Sequence, residues 1–260
     1  MSPLSPSAIV TTLRAAGCVF AEDEARLLID TAGTPADLAA MVDRRVAGLP
    51  LEHVLGWARF CGLRIAVDPG VFVPRRRTGL LVRTAAAALA ARPGAVVVDL
   101  CCGSGAVGAA LAAVLDGVEL YATDIDPAAV RCARRNLPAG ARVYEGDLDA
   151  PLPATLRGRV DVLIANAPYV PTGELGLLPP EARVHEPRVA LDGGADGLDQ
   201  LRRVVAAAPG WLAPGGLLVV ETSGHQAPAL MAAVARAGLV AGLATDDDLG
   251  ATAITGSRTG

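Results

Sequence analysis

Lysine is absent from this 260-residue chain: all 23 basic residues are arginine. Beside the heavy use of alanine, glycine and proline, this reads as the codon bias of a GC-rich genome and carries no functional meaning. Aromatic residues are scarce at 3%, so the core has to be filled by Ala, Val and Leu. The five cysteines (18, 61, 101, 102 and 132) form no CxxC pair and no Cys/His cluster with zinc spacing, which excludes a disulfide framework and a structural metal site. They read as core residues suited to a reducing compartment. Apolar runs are cut by charge, Gly or Pro before reaching the about 18 residues a membrane span needs, and no basic stretch precedes an apolar segment at the start. A soluble cytoplasmic protein with no metal and no membrane anchor is expected.

The composition, 52% hydrophobic and 19% charged, is that of a folded chain and excludes a disordered one. A net charge of −4 and a pI near 5.4 argue against gripping duplex nucleic acid by phosphate neutralisation. Up to residue 80 there are 9 arginines against 8 acids, and after it 14 against 19. The first third is thus slightly basic beside an acidic remainder.

Along the chain, apolar residues first recur at helical spacing: Ile9, Leu13 and Ala16, then Ala25, Leu28 and Ile29, then Leu38, Met41 and Val42. This predicts a small helical domain over 1–48. Residues 49–79 change to a short-strand pattern around Gly62 and an Asp68-Pro-Gly turn, a β-hairpin linker. From 80 to 260 strand and helix alternate, which calls for a parallel α/β sheet covered on both faces. Strands are expected at 95–100, 118–123, 141–146, 160–165 and 216–222, and helices at about 106–115, 127–136, 197–208 and 226–237. GLVAGLAT and ATAITG supply two final strands, the last antiparallel.

The chemistry gathers at strand ends. The first sheet strand runs through Asp99 into Cys101-Cys102-Gly103-Ser104-Gly105 and straight into a helix, so a glycine turn lies at the edge where open α/β sheets bind ligands. Gly108 completes G-x-G-x-x-G, with Asp124 following at the end of the next strand. That pattern alone serves a nicotinamide cofactor or S-adenosylmethionine. Asp99 separates them: a carboxylate there repels a pyrophosphate and welcomes the amino group of a methionine moiety, which favours S-adenosylmethionine. Asp124 is suited to accept both ribose hydroxyls, and Asp126 to cap the helix beginning at Pro127. Asp147 is placed to accept from an adenine amino group, with Leu148 packing on the ring. After the apolar strand VDVLIA come Asn166-Ala167-Pro168-Tyr169. Asn166 Oδ1 and the Ala167 carbonyl can each accept one N–H of a planar amide or amine, and Tyr169 can stack on it, aiming a weak nitrogen nucleophile at a methyl donor.

With these motifs, the chain resembles the protein-(glutamine-N5) methyltransferases, especially those that modify the glutamine of peptide-chain release factors. The resemblance runs through LPLEHVLGWARFCGLRIAVDPGVFVPR, DLCCGSGAVG, ATDIDPAAVRCARRN, GDLDAPLP, NAPY, EPRVALDGGADGL and LAPGGLLVVETSGHQ. It implies a seven-stranded, Rossmann-like class I methyltransferase sheet and a helical N-terminal domain that helps hold a protein substrate, a release factor. It implies S-adenosylmethionine held by Asp99, the turn 101–105 with Cys101, Gly103 and Gly105, Asp124, Asp147, Leu148 and Asn166. The substrate amide falls to Asn166, Ala167, Pro168 and Tyr169.

Three positions depart from the family pattern. Ala167 replaces the first proline of Asn-Pro-Pro-Tyr. The linker motif Pro-Arg-Pro-Glu-Thr-Glu reads Pro74-Arg75-Arg76-Arg77-Thr78-Gly79, so both acids are gone and the arginines are candidates for facing the substrate. Cys101 stands where many relatives carry glycine, a change the backbone tolerates if φ there is negative. The rival readings are an adenine-N6 nucleic-acid methyltransferase, which uses the same Asn-x-Pro-Tyr logic, and a cofactor-binding protein without turnover.

Overall fold

The computed structural model describes residues 5–260; the first four residues of the expected 1–48 segment, and that part of the reading of its start, lie outside them. Helix α1 (Pro6–Ala15) begins with Pro6 and the Ser5 hydroxyl accepting from Ala8 N–H, which satisfies one orphan donor. Helix α2 spans Ala21–Thr31, and α3 (Pro35–Val46) repeats the cap with Thr34. The short α4 (Leu51–Leu55) ends at Gly56 in the left-handed region. These helices bury Ile9, Leu13, Ala25, Leu28, Met41 and Val42 in a cluster of their own, with Ile29 and Leu38 against it. Ala16 departs from the expected face. It lies past the end of α1 and is exposed, because the chain turns at Gly17 with φ +91°.

Strands β1 (Trp57–Phe60) and β2 (Leu63–Ala66) pair antiparallel, Phe60 opposite Leu63. The two turn residues, Cys61 and Gly62, both have positive φ, as hairpin twist requires. Cys61 is exposed at this turn and is not the core residue its type suggested. The hairpin buries Ala58, Phe60 and Ile65 in one core with the sheet and with α5 (Gly79–Leu89). Asn136 clamps its edge, accepting from Ala66 N–H and donating to Ala66 C=O.

The alternating region follows as β3 (Val96–Leu100), α6 (Ala106–Val114), β4 (Glu119–Asp124), α7 (Pro127–Asn136), β5 (Arg142–Glu145), β6 (Val160–Ala165), α8 (Pro180–His185), α9 (Asp199–Trp211), β7 (Leu212–Thr222), α10 (Ala227–Arg236), β8 (Val240–Asp246) and β9 (Ala251–Ser257). The seven strands take the order β5-β4-β3-β6-β7-β9-β8. Strands β3 to β7 pair in parallel, and β9 lies antiparallel between β7 and β8, as the tail pattern predicts. Strand β3 is buried along its whole length, as a strand covered on both faces must be. Connections from β3 run outward through β4 and β5, whereas β6 and β7 lie on its other side. The carboxyl ends of β3 and β6 therefore flank the switch point of the sheet, where ligands bind.

Most predicted elements agree within a residue or two. Two differ: α4 lies inside the segment 49–79 expected to carry only a short-strand pattern and packs Val54 and Leu55 into the helical cluster, and α9, expected at 197–208, runs on through Pro209 and Gly210 to Trp211. Trp211 is buried and its indole N–H donates to Asp149 Oδ2 at 2.9 Å, so tertiary burial carries the helix across two breakers. Strand β7 correspondingly begins at Leu212, with a register shift against β6 that absorbs Pro214-Gly215-Gly216.

Candidate active site

The carboxyl ends of β3, β4 and β6 line one cavity together with the linker and the loops after β5 and α8. Asp99, Cys101, Gly103, Asp124, Asp147, Leu148, Asn166 and Pro168 all face it. Ala167 and Tyr169 line a second, adjoining cavity that shares Phe72, Asn166, Pro168 and Ala190 with the first. Gly105 lines neither. It caps α6 with φ +76°, and a Cβ there would press on Ala133 of α7 at 3.1 Å, so its glycine serves close helix packing.

Asp99 is 2% exposed. Its Oδ2 accepts from Gly108 N–H at 3.1 Å, and its Oδ1 takes no hydrogen bond among the described residues. Burial raises its carboxyl to about 7; the Gly108 N–H opposes the shift and the nearby Asp124 adds to it. Asp124 organises the glycine turn, with Oδ2 accepting from Gly103 N–H at 2.8 Å and Oδ1 from Asp126 N–H at 2.9 Å. Each oxygen keeps acceptor capacity for a further donor. Burial raises its pKa as well. Asp126 caps α7 by accepting from Ala128 N–H, as expected. Asp147 pairs with Arg203 at 2.6 Å, both half exposed. Leu148 is buried in a left-handed backbone (φ +48°) at the wall of the first cavity, a costly placement for a branched side chain.

Cys101 has φ +54°, so the condition under which it would replace glycine without strain is not met. Its side chain packs beside the core formed on β3, β6 and α9, which holds the strained backbone in place. Cys101→Gly is expected to raise stability by about 1 kcal/mol, the usual left-handed penalty for an L-residue, as urea unfolding measures.

Asn166 follows β6 and donates from Nδ2 to Thr78 Oγ1 at 3.2 Å. With the amide in this orientation, Oδ1 takes no hydrogen bond among the described residues. Neither the N–H nor the C=O of Ala167 is hydrogen-bonded among the described residues. Two unsatisfied acceptors thus stand side by side where the cavities join. The Tyr169 carbonyl accepts from Gln226 Nε2, which also donates to Asp196 C=O, tying the turn to the Gly-rich loop before α9.

Sequence reasoning missed Thr78, Glu186, Gln226 and Glu221. Glu186 accepts from Val73 N–H at 3.1 Å and pairs with Arg75 at 2.5 Å, so it staples the linker to the loop after α8. Burial raises the Glu186 pKa against the pull of Arg75. Of the three arginines considered for the substrate, Arg75 and Arg77 line the second cavity, whereas Arg76 is exposed and lines neither. His53 is structural: its Nε2 meets Val71 C=O at 2.8 Å. Among the described residues there is no group of side chains able to hold a metal ion and no helix long and apolar enough to cross a membrane.

Residues 62–177 match the family model described as Methyltransferase small domain. A release factor glutamine methyltransferase of Geobacter sulfurreducens is 40% identical over 233 residues, covering 87% of this chain and 80% of that protein. A 4-amino-L-phenylalanine/4-methylamino-L-phenylalanine methyltransferase of Streptomyces pristinaespiralis is 39% identical over 204 residues, covering 75% and 69%. Among solved structures, a ribosomal protein methylase of Lactobacillus delbrueckii superposes with a TM-score of 0.54 at 17% identity, over 75% of this chain and 86% of that one; this likeness speaks for the class I methyltransferase fold alone. The glycine turn, the strand-end carboxylates and the Asn-x-Pro-Tyr turn thus occur in a chain whose relatives match 72–87% of it, and the chain belongs to the release factor glutamine methyltransferase family.

Proposed function

We propose that the protein transfers a methyl group to the side-chain amide nitrogen of a glutamine in a peptide-chain release factor. The observation that carries this reading is the pair of free acceptors, Asn166 Oδ1 and Ala167 C=O, where the two cavities meet. A primary amide presents two N–H groups, and one acceptor for each fixes the plane of the amide and the direction of its nitrogen.

The cofactor is S-adenosylmethionine, which when bound supplies an electrophilic methyl on a sulfonium. The residues present suit it: Asp99 keeps a free carboxylate oxygen that would take the ammonium, Asp124 has capacity for the ribose hydroxyls, and Asp147 and Leu148, on the wall of the same cavity, would take the adenine. Asn166 and Ala167 would hold the amide with its nitrogen toward the methyl that the cofactor would supply, and the N–H proton lost as the N–C bond forms would pass to solvent water. Positive charge developing on the nitrogen makes its N–H groups better donors, so both acceptors bind the transition state more tightly than the ground state.

In this reading residues 1–48 are the substrate-recognition domain, 49–79 the linker and 80–260 the transferase domain. Arg45 supports the first assignment: buried on α3, it pairs with Glu24 at 2.6 Å and reaches Glu181 on the rim of the second cavity at 2.7 Å. The protein acts on a protein partner in the cytoplasm, without duplex nucleic acid or membrane; its five cysteines are all free.

Purified protein, labelled S-adenosylmethionine and the release factor of the same organism make the test. Label on a glutamine amide, located by mass spectrometry, is the expected result. Methylation of 4-amino-L-phenylalanine with no label on the factor would replace the reading. Within it, Ala167→Pro keeps the carbonyl acceptor, removes an N–H that bonds to nothing described, and stiffens the turn. It is expected to leave turnover equal or higher and to gain about 0.5–1 kcal/mol of stability, read by steady-state kinetics and urea unfolding.

A further inference from the structure

Behind the Tyr169 ring lies a closed triangle of polar contacts. Glu221, near the end of β7, has a side chain only 3% exposed. Its Oε1 accepts from the Tyr169 hydroxyl at 2.9 Å and from Arg77 Nε at 3.0 Å, and the same Nε donates to the Tyr169 hydroxyl at 3.0 Å. Oε2 is buried with no partner among the described residues. Among the described residues Tyr169 and Arg77 therefore supply all the compensation this carboxylate receives, and a buried charge left unpaired is costly. Burial works against the Arg77 charge, but Tyr169 and Glu221 outweigh it and hold its pKa up. Burial and Glu221 likewise push the Tyr169 phenol far above its ordinary value, which keeps the hydroxyl a donor.

The ring is thus held at both ends, by this triangle at the hydroxyl and by Gln226 at the main chain. An acid at position 77, as in the usual linker motif, would face Glu221 with like charge. In this chain Arg77 and Glu221 work as a unit. We propose that Arg77 and Glu221 are positioning residues for the transfer: as an ion pair they fix the Tyr169 ring against the planar nitrogen group held by Asn166 and Ala167, and they act only through that ring. The proposal rests on the reading of 166–169 as the acceptor site.

Because the claim is that both residues act through one ring, the test is a mutant cycle. Arg77→Met and Glu221→Ala are each expected to lower kcat about tenfold, the scale of a small misplacement of a reacting group, with cofactor affinity within about twofold of wild type. In a Tyr169→Phe background, which removes the hydroxyl they hold, each is expected to cost less than about twofold more. Arg77→Lys keeps the charge but not the Nε geometry and should not rescue. Where Glu221→Ala fails to fold, Glu221→Gln, which keeps the volume, takes its place. Full additivity in the Tyr169→Phe background, rescue by lysine, or normal kcat in the folded single variants overturns the proposal, since a purely structural ion pair would lower stability and leave that cycle additive. If the wild type methylates 4-amino-L-phenylalanine and not glutamine, the same cycle is read on that amine. The substrate assignment then falls while the positioning claim is still decided. No transfer to either acceptor overturns both.

Discussion

Asn166→Ala is expected to lower kcat by roughly a hundredfold or more, the loss seen when one preorganised hydrogen-bonding group is taken from a transition state. An amide nitrogen is a poor nucleophile because its lone pair is delocalised, so turnover depends on orientation and on stabilising the charge that develops. On the proposed reading Asn166 Oδ1 accepts from that amide, and among the described residues only the other end of its side chain is engaged, by Thr78. Asn166 also lines the cofactor cavity, so cofactor affinity has to be measured by calorimetry in the same variant. Thr78→Val, which removes the hydroxyl bonded to the Asn166 amide, should move kcat in the same direction by less. Near-normal transfer by Asn166→Ala at normal cofactor affinity would refute the amide clamp while leaving the protein a methyltransferase.

Asp99→Asn should separate stability from cofactor binding. Burial lifts the Asp99 carboxyl to about 7 in the folded protein, against about 3.9 in an unfolded chain. Between those values the folded state binds more protons than the unfolded one, so stability falls as pH rises through the window and is fully reduced above about 7. Asparagine keeps an acceptor for Gly108 N–H and carries no charge to bury. The cofactor-free variant is therefore expected to be more stable than wild type by a few kcal/mol near pH 8, and little different near pH 4. Cofactor affinity should move the other way, weakening by about 1.5–3 kcal/mol with loss of the charged contact to the ammonium. Wild-type affinity should rise with pH through about 7, as Asp99 ionises, and the variant's should not. Urea unfolding and calorimetry across pH check both halves; an equal loss of stability and affinity in Asp99→Asn would mean that Asp99 acts by holding the turn at Gly108.

Much of the site was legible because parallel strands bring their carboxyl ends to one edge. Once AVVVDL, VELYAT and VDVLIA are read as neighbouring parallel strands, Asp99, Asp124 and Asn166 must gather at that edge, and the sheet pairs them as that reading requires. The cap of α7 was equally local, set by Asp126 before Pro127. The end of α9 was not: Pro209-Gly210 signals a stop, and only the burial of Trp211, with its bond to Asp149, carries the helix past it. Nor was the sign of φ at Cys101, which depends on how the turn packs and not on residue type.

By itself the sequence determined the α/β class, the glycine turn with its carboxylates, and the Asn-Ala-Pro-Tyr acceptors, because each depends on spacing within a strand and the turn that follows it. Tertiary structure alone decided which groups hold those residues in place. Arg77 reaches Glu221 across 144 positions and Tyr169 across 92, Glu186 reaches Val73 across 113, and Thr78 reaches Asn166 across 88. A buried carboxylate or amide has to find its partner among whatever groups the packed core brings within hydrogen-bonding distance, and that choice leaves no periodicity in the chain.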